Sequence, residues 1–474
     1  MRACAVAGLA CVLAAGCAVN PVTGRRQLAL VSEAQEIQLG RQASQEVAQQ
    51  IGLVDDAALQ QYVQDVGQRL ARGSERPNLP WSFAVVDDAT PNAFALPGGF
   101  IFVTRGMMNV MESEAELAAV LGHEIGHVTA RHSVTQISRG QLAQLGLGLG
   151  NIFFPSAAQT FGGLAQTGMQ LLFLSYGRDA ERQADELGFR YALHEGFEVR
   201  EMDDVFATLL RIGEASGRSA LPSWLASHPA EPERIRAAQA RADTVTRSPL
   251  VSGRDAYLAR IDGLTYGDDP RQGFFRGGEF LHPELRFRIA FPQGWQTQNL
   301  PQAVNALAPQ QDAVVQLTLA QQAANADDAA RRFVSQQGIR PGQGGRQNVN
   351  GSPAVVVYFQ AQTQQEVVSG LAGFIEQGGR VYQVVAYTPA QLFSRYEPAF
   401  RNVVFSFDEV TDPAVLNVRP NRVDIVRTTR QLTLAEFNRQ HPSAIPLSEL
   451  AILNQVENEQ SLLPAGAWKR VVAQ

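Results

Sequence analysis

The stretch LGHEIGHVTARH, residues 121–132, decides how the chain is read. It holds His123, Glu124 and His127, two imidazoles four residues apart with a carboxylate directly after the first. On a helix, positions i and i+4 share one face about one turn apart, so the two rings can supply two corners of a tetrahedral Zn²⁺ site. Glu124 cannot reach the same ion from that turn. It projects beside the metal, where a carboxylate can take a proton from a water and later hand it to a leaving amine. The helix is well signalled, because Ser113 and Glu116 have capping-box spacing and Leu117, Leu121, Ile125 and Val128 follow as an apolar row. Gly122 and Gly126 lower helix propensity, which predicts that another backbone or a ligand passes close by.

Upstream, Ser32 and Gln35 are placed to cap a helix running to about Ile51, and a second amphipathic helix is expected over Ala57 to Arg72. WSFAVVDD (81–88) reads as a strand, and PNAFALPGGFIFVTRG (91–106) as two short strands around Pro97-Gly98-Gly99. A strand entering beside the metal could pair its backbone with an extended peptide; a plain core hairpin is the alternative. Downstream, residues 141–176 are apolar and Gly-rich, but Gln144, Asn151, Gln159, Gln166 and Gln170 interrupt them. No uninterrupted run reaches the about 18 residues a membrane helix needs, so the segment is expected to form one or two helices, either a mobile cover over a cleft or passive packing. In GRDAERQADELGFRYA (177–192), Glu181 and Asp185 stand at i and i+4. One carboxylate can complete the metal site and the other can hydrogen-bond a ligand His, unless both are a solvated face paired with Arg178, Arg182 or Arg190.

HEIGH, ERQAD, SHPAEPERI (227–235), the NPVTGRRQ segment and NAFALPGGFIFVTRGMM together resemble the M48 family of metallopeptidases, in its soluble periplasmic branch. The resemblance covers about residues 18–245 and implies a mainly helical, zincin-type domain with a small β-hairpin or sheet. It implies one Zn²⁺ per chain, held by His123, His127 and Glu181, with Glu124 as general base and Asp185 as the partner of a ligand His. It further implies that His228 approaches the metal to regulate or assist catalysis, and it makes Arg234 a candidate for stabilising the oxyanion. Membrane-spanning members of the family carry hydrophobic helices absent from this sequence, so their substrates do not transfer.

The 474 residues allow two or three domains, with 45% hydrophobic and 18% charged residues as in globular proteins. A net charge of −6 gives no reason to expect nucleic acid or an anionic membrane surface as partner. Residues 1–17, MRACAVAGLACVLAAGC, read as an export signal, and LAAGC resembles a bacterial lipobox with Cys17 as the acylated first mature residue, although Ala14 stands where Leu is usual. The other two cysteines, Cys4 and Cys11, precede it, so no disulfide is expected in the mature chain. Ala18 after the Cys points to the outer membrane of a Gram-negative envelope, with the protein facing the periplasm.

Beyond Ala240 the composition changes. A linker is expected over 246–275, and an antiparallel α/β sandwich over 276–412, built from the apolar runs VVQLTLA, AVVVYFQA, VSGLAGFIEQ, RVYQVVAY and NVVFSF with its helices on one face. The glycines at 338–345 read as a surface loop, and His282 is isolated. The FPxGW opening resembles the PsbP/Mog1-like fold. Residues 415–474 read strand, helix, helix, strand and resemble a LysM module, though Arg430-Gln431 replaces the usual Gly-Asp; the likeness implies a possible contact with peptidoglycan. The fold class expected is α+β multidomain. The function expected is zinc endopeptidase action on envelope or misfolded proteins. The alternative is an envelope-assembly chaperone or binding protein with little proteolysis, and a peptidoglycan hydrolase rests on the LysM-like tail alone.

Overall fold

In a computed structural model, residues 17–144, 176–215, 224, 227–228, 232–362 and 366–473 are described. The stretch up to residue 16 that reads as an export signal, and the Gly-rich apolar stretch apart from its ends, lie outside them. The chain divides into two compact units, one formed by the residues up to Asp268 together with Asn421–Gln474, the other by Asp269–Pro420. No described helix is long and apolar enough to cross a membrane.

The first unit begins with a hairpin, β1 (Cys17–Val19) against β2 (Arg26–Leu28), so NPVTGRRQ is folded. Asn20 makes its turn by accepting from the Val22 and Thr23 amides, and its Nδ2 donates to Ala130 O. Helices α1 (Glu33–Gln50), with the complete Ser32–Gln35 capping box, and α2 (Ala57–Arg72) follow where expected. A three-stranded sheet has the order β3 (Ser82–Val86), β5 (Phe100–Thr104), β4 (Ala93–Leu96), with β3 parallel to β5 and β4 the hairpin partner of β5. Its turn needs glycine, because Gly98 has φ +79° and a Cβ there would meet Ile37 Cα of α1 at 2.6 Å. A short helix, α3 (Arg105–Val110), leads to α4 (Glu114–Thr129), the helix of the two histidines.

Helix α4 is buried along its length from Ala115 to Thr129. Ser113 Oγ accepts from the Glu116 amide as expected, but the reciprocal half of the capping box is absent, because the Glu116 carboxylate accepts from Glu112 N and Gln455 Nε2 instead. Helices α5 (His132–Gln144), α6 (Arg178–His194), α7 (Met202–Ala215) and α8 (Pro232–Ala242) surround or follow it. The backbone that Gly122 and Gly126 anticipate is that of α6. A Cβ on Gly126 would lie 3.0 Å from Ala184 Cα, and one on Gly188 would lie 2.7 Å from His123 N. The contacts 122 with 188 and 126 with 184 run in opposite directions, so the two helices are antiparallel, and their small-residue seam turns the Glu181–Asp185 face toward the histidines.

Both ends of α4 are held by buried ion groups. At the C-terminal end, Arg76 donates to both Glu36 oxygens and to Val128 O, while Arg131 donates to Glu36 Oε2 and Val31 O. At the N-terminal end, the fully buried Lys469 pairs with Glu112 at 2.9 Å and donates to the carbonyls of Asn109, Met111 and Leu453. Lys469 belongs to the last segment, β18 (Asn421–Thr428), α13 (Leu434–Gln440), α14 (Leu447–Leu453) and β21 (Gly466–Val472), which follows the strand-helix-helix-strand order read from the sequence. Val423 and Ala467 join the same apolar core as Leu121 and Ile125. The stretch read as a linker contains α9 (Arg254–Ile261), whose Tyr257, Leu258 and Ile261 fill that core, and Thr265–Tyr266 (β6), which adds a third strand beside β18.

In the second unit, seven antiparallel strands have the order β10 (Gln296–Leu300), β11 (Ala303–Leu307), β12 (Val314–Leu319), β16 (Arg380–Pro389), β15 (Val367–Gln377), β14 (Ser352–Gln362), β13 (Ile339–Val349), and a smaller four-stranded sheet includes Phe287–Ala290. The expected placement of the helices on one face is corrected. Residues Ala354, Val356 and Tyr358 of β14 face α11 (Phe393–Ser406), while Val355, Val357 and Phe359 face α10 (Ala326–Val334), so each face carries one helix. An unbroken apolar run is what a strand covered on both faces requires. Two further readings change. NVVFSF lies almost wholly in α11, where Phe400, Val403 and Val404 recur at helical spacing, and the glycines at 338–345 lie mostly in the exposed edge strand β13, with a bulge between Pro341 and Gly344.

Candidate metal centre

His123 and His127 come from α4, Glu181 and Asp185 from α6, and His228 follows Trp224, whose carbonyl accepts from the His228 amide at 2.7 Å. One donor atom from each of His123, His127, Glu181 and His228 lies within 4.8 Å of all the others, and all four residues are buried. His123 Nε2 is 3.0 Å from His127 Nε2 and 3.3 Å from His228 Nδ1. Glu181 Oε1 is 3.1 Å from His228 Nδ1 and 3.5 Å from His127 Nε2.

These atoms fit a zinc ion on two grounds. Bonds of about 2.0–2.1 Å at tetrahedral angles place ligand atoms about 3.3 Å apart, which is the spacing found. The charge also agrees. Three acidic side chains, Glu124, Glu181 and Asp185, are buried here with the guanidinium of Arg234, so acidic groups outnumber basic side chains of fixed charge among the described residues and a cation is the complementary occupant.

Second partners orient side chains of this group. His123 Nδ1 faces Asp185 Oδ1 at 3.0 Å, which keeps its proton on Nδ1 and leaves Nε2 bare toward the cluster. Arg234 Nε and Nη2 donate to the two Asp185 oxygens at 2.8 and 2.7 Å, and its Nη1 is 2.9 Å from Glu181 Oε2. Burial favours the neutral form of Asp185, but Arg234 and His123 override it and hold this carboxyl well below its usual range. Burial also depresses His127 far below the ordinary imidazole range, with His123 and His132 adding to it. His228 is held above its ordinary value by Glu181 and Glu124 against the cost of burial.

Glu124 stands beside the cluster. Its Oε1 accepts from Trp224 Nε1 at 3.3 Å and lies 3.5 Å from His228 Nε2, and its buried Oε2 has no hydrogen-bond partner among the described residues. All seven residues singled out in the sequence meet here. Pro229, Ala230 and Glu231 of the SHPAEPERI stretch lie outside the described residues. Three neighbours were not anticipated. Trp224 packs against His123 and His228, Tyr176 lies 4.1 Å from the His127 ring centre with its hydroxyl bonded to Ser133, and His132 touches His127. Of these only His132 had a signal, as the last residue of the opening stretch.

Residues 57–242 match the sequence model of Peptidase family M48. The chain is 29% identical over 252 residues to the beta-barrel assembly-enhancing protease of Escherichia coli strain K12, covering 52% of this chain and 51% of that protein. It is 31% identical over 220 residues to the mitochondrial metalloendopeptidase OMA1 of Schizosaccharomyces pombe, covering 46% of this chain and 64% of that protein. It thus spans about half the length of the first of these relatives. Among solved structures, cyanobacterial PsbP from Synechocystis matches 28% of this chain and 91% of its own, with a TM-score of 0.24 and 14% identity. The chain therefore carries a domain of peptidase family M48, at residues 57–242.

Proposed function

We propose that this protein is a zinc-dependent endopeptidase acting on proteins of the bacterial envelope. The observation that carries the reading is the buried convergence of His123, His127 and Glu181, beside which one Glu124 oxygen has no hydrogen-bond partner among the described residues. Zinc, when bound, supplies the positive charge that acidifies a water and polarises a peptide carbonyl. His123, His127 and Glu181 would hold it. Trp224 fixes one oxygen of Glu124, and the other, without a partner among the described residues, would take the proton of the attacking water and deliver it to the leaving amine. Arg234 meets Asp185 through Nε and Nη2 and Glu181 through Nη1, so in this reading it positions those carboxylates, and stabilising an oxyanion stays its second proposed role. The names of the bacterial relatives support envelope proteins as substrates. In this reading the chain is exported, anchored by acyl groups on Cys17, and works at the periplasmic face. Contact of residues 415–474 with peptidoglycan remains part of the proposal and is tested by binding to sacculi.

The testing experiment is cleavage of casein by wild type and Glu124→Gln. The variant is expected to lose about 10²–10⁴-fold in rate while keeping its zinc. Wild-type cleavage by the variant would end the general-base assignment.

A second reading has its own observation. His228 Nδ1 is one of the four converging donor atoms, and as a fourth ligand it would close the site at rest. A protein resting in that state would serve envelope assembly mainly by binding, with proteolysis held in reserve. His228→Ala raises casein cleavage if the site rests closed, and lowers it if His228 works only as a catalytic group.

A further inference from the structure

Five residues along a continuous helix turn a side chain about 140° away from its starting direction. His132 nevertheless lies against His127, because α4 ends at Thr129 and Arg131, at φ +60°, redirects the chain before α5 begins at His132. Arg131 is held in that conformation by Glu36 and Val31 O. The result is a direct approach of two imidazoles, His132 Nδ1 standing 3.0 Å from His127 Nδ1, with ring centres 4.9 Å apart at 74°. On its other side His132 Nε2 is 3.0 Å from Gln183 Oε1, on the turn of α6 between Glu181 and Asp185.

We infer that His132 is a positioning residue of the metal centre, which accepts the Nδ1 proton of His127 and so holds the tautomer whose Nε2 is bare toward the donor group. The inference rests on the metal reading above. Two ring nitrogens 3.0 Å apart share one proton. A metal ligand must present a lone pair at Nε2, so the proton of a neutral His127 is on Nδ1, and His132 Nδ1 accepts it. The proton of His132 is then on Nε2, where Gln183 Oε1 accepts it, and the chain closes without any charge. His123 is oriented instead by a carboxylate, Asp185. The two histidines of one helix are thus fixed by different chemistry, one by an anion and one by a neutral ring. His132 is not one of the four converging donors.

The test is the zinc affinity of the full mature chain, measured by competition with a chelator, together with the melting temperature of the metal-free protein. His132→Leu, which removes the acceptor, is expected to bind zinc about 10–100-fold more weakly than wild type with an unchanged metal-free melting temperature. His132→Gln, which retains an acceptor oxygen and a donor, is expected to stay near wild type. Equal affinity of wild type and His132→Leu would overturn the inference while leaving the metal reading intact. No zinc bound by wild type would overturn the metal reading itself. Equal weakening in the Leu and Gln variants, with lower metal-free melting temperatures in both, would reduce His132 to packing. Should His132→Leu not fold, Gln183→Leu decides, since loss of the second acceptor weakens zinc binding several-fold if the relay exists and leaves it unchanged if it does not.

Discussion

Of the three buried carboxylates at this centre, those of Glu181 and Asp185 pair with Arg234 and that of Glu124 meets Trp224, and at so buried a carboxyl a single-residue change has a calculable direction. The same holds a few turns away at Glu116. Burial, opposed by the Glu112 amide and reinforced by the Glu112 charge, pushes its carboxyl up to about 8. A carboxyl raised above its unfolded value contributes stability that is complete below about pH 4.5 and is lost as the pH rises through about 8. Glu116→Gln, which keeps an acceptor for Glu112 N, is therefore expected to melt a few degrees above wild type at pH 8.5 and level with it near pH 4, as thermal unfolding at the two pH values would record. At this scale the sequence was legible wherever spacing carried the message. His123, Glu124, His127, Glu181 and Asp185 declare themselves by intervals on two helices. Trp224 and Tyr176 have no such interval to betray them, and His132 reaches His127 only through the backbone turn at Arg131.

The element that makes the site is the pair α4–α6, and its closeness depends on the absence of side chains at Gly122, Gly126 and Gly188. A Cβ at Gly188 would press on the backbone of His123 at 2.7 Å, with no flexible side chain to give way. Gly188→Ala is expected to cost about 1–3 kcal/mol by forcing the helices apart. It is also expected to weaken zinc binding, because Glu181 and Asp185 move with α6; denaturant unfolding and a zinc titration on the same preparation check both. Gly122 and Gly126 announced this approach in the sequence, as low-propensity residues kept inside an otherwise strong helix. The strands of the second unit were harder to read. β14 is apolar on both faces and gives no period, β13 is an exposed edge strand whose glycines imitate a loop, and NVVFSF has strand composition but is helical because Phe400, Val403 and Val404 dock on the sheet.

Over the whole molecule, the last segment of the first unit is part of the frame around α4. Lys469 reaches the α3–α4 junction with no exposure to solvent, and Gln455 donates to Val110 O and Glu116. Lys469→Met is expected to destabilise the unit by about 3 kcal/mol, since among the described residues Glu112 then keeps Arg254 alone as an ion-pair partner. A chain ending at Pro420 is expected to be degraded under limited proteolysis that leaves the full chain intact. The strand-helix-helix-strand order of this segment was legible, but its attachment was not, because a lone Lys in a strand looks like any solvent-facing residue until its neighbours in space are known.

If His123, His127 and Glu181 make a zinc site, metal analysis of the purified mature chain, with Glu181→Gln alongside, reads it out. One zinc per chain is expected in wild type and loss of most of it in the variant, whose amide cannot replace an anionic ligand. Wild-type protein without zinc, or a Glu181→Gln variant that retains it fully, would rule the zinc site out.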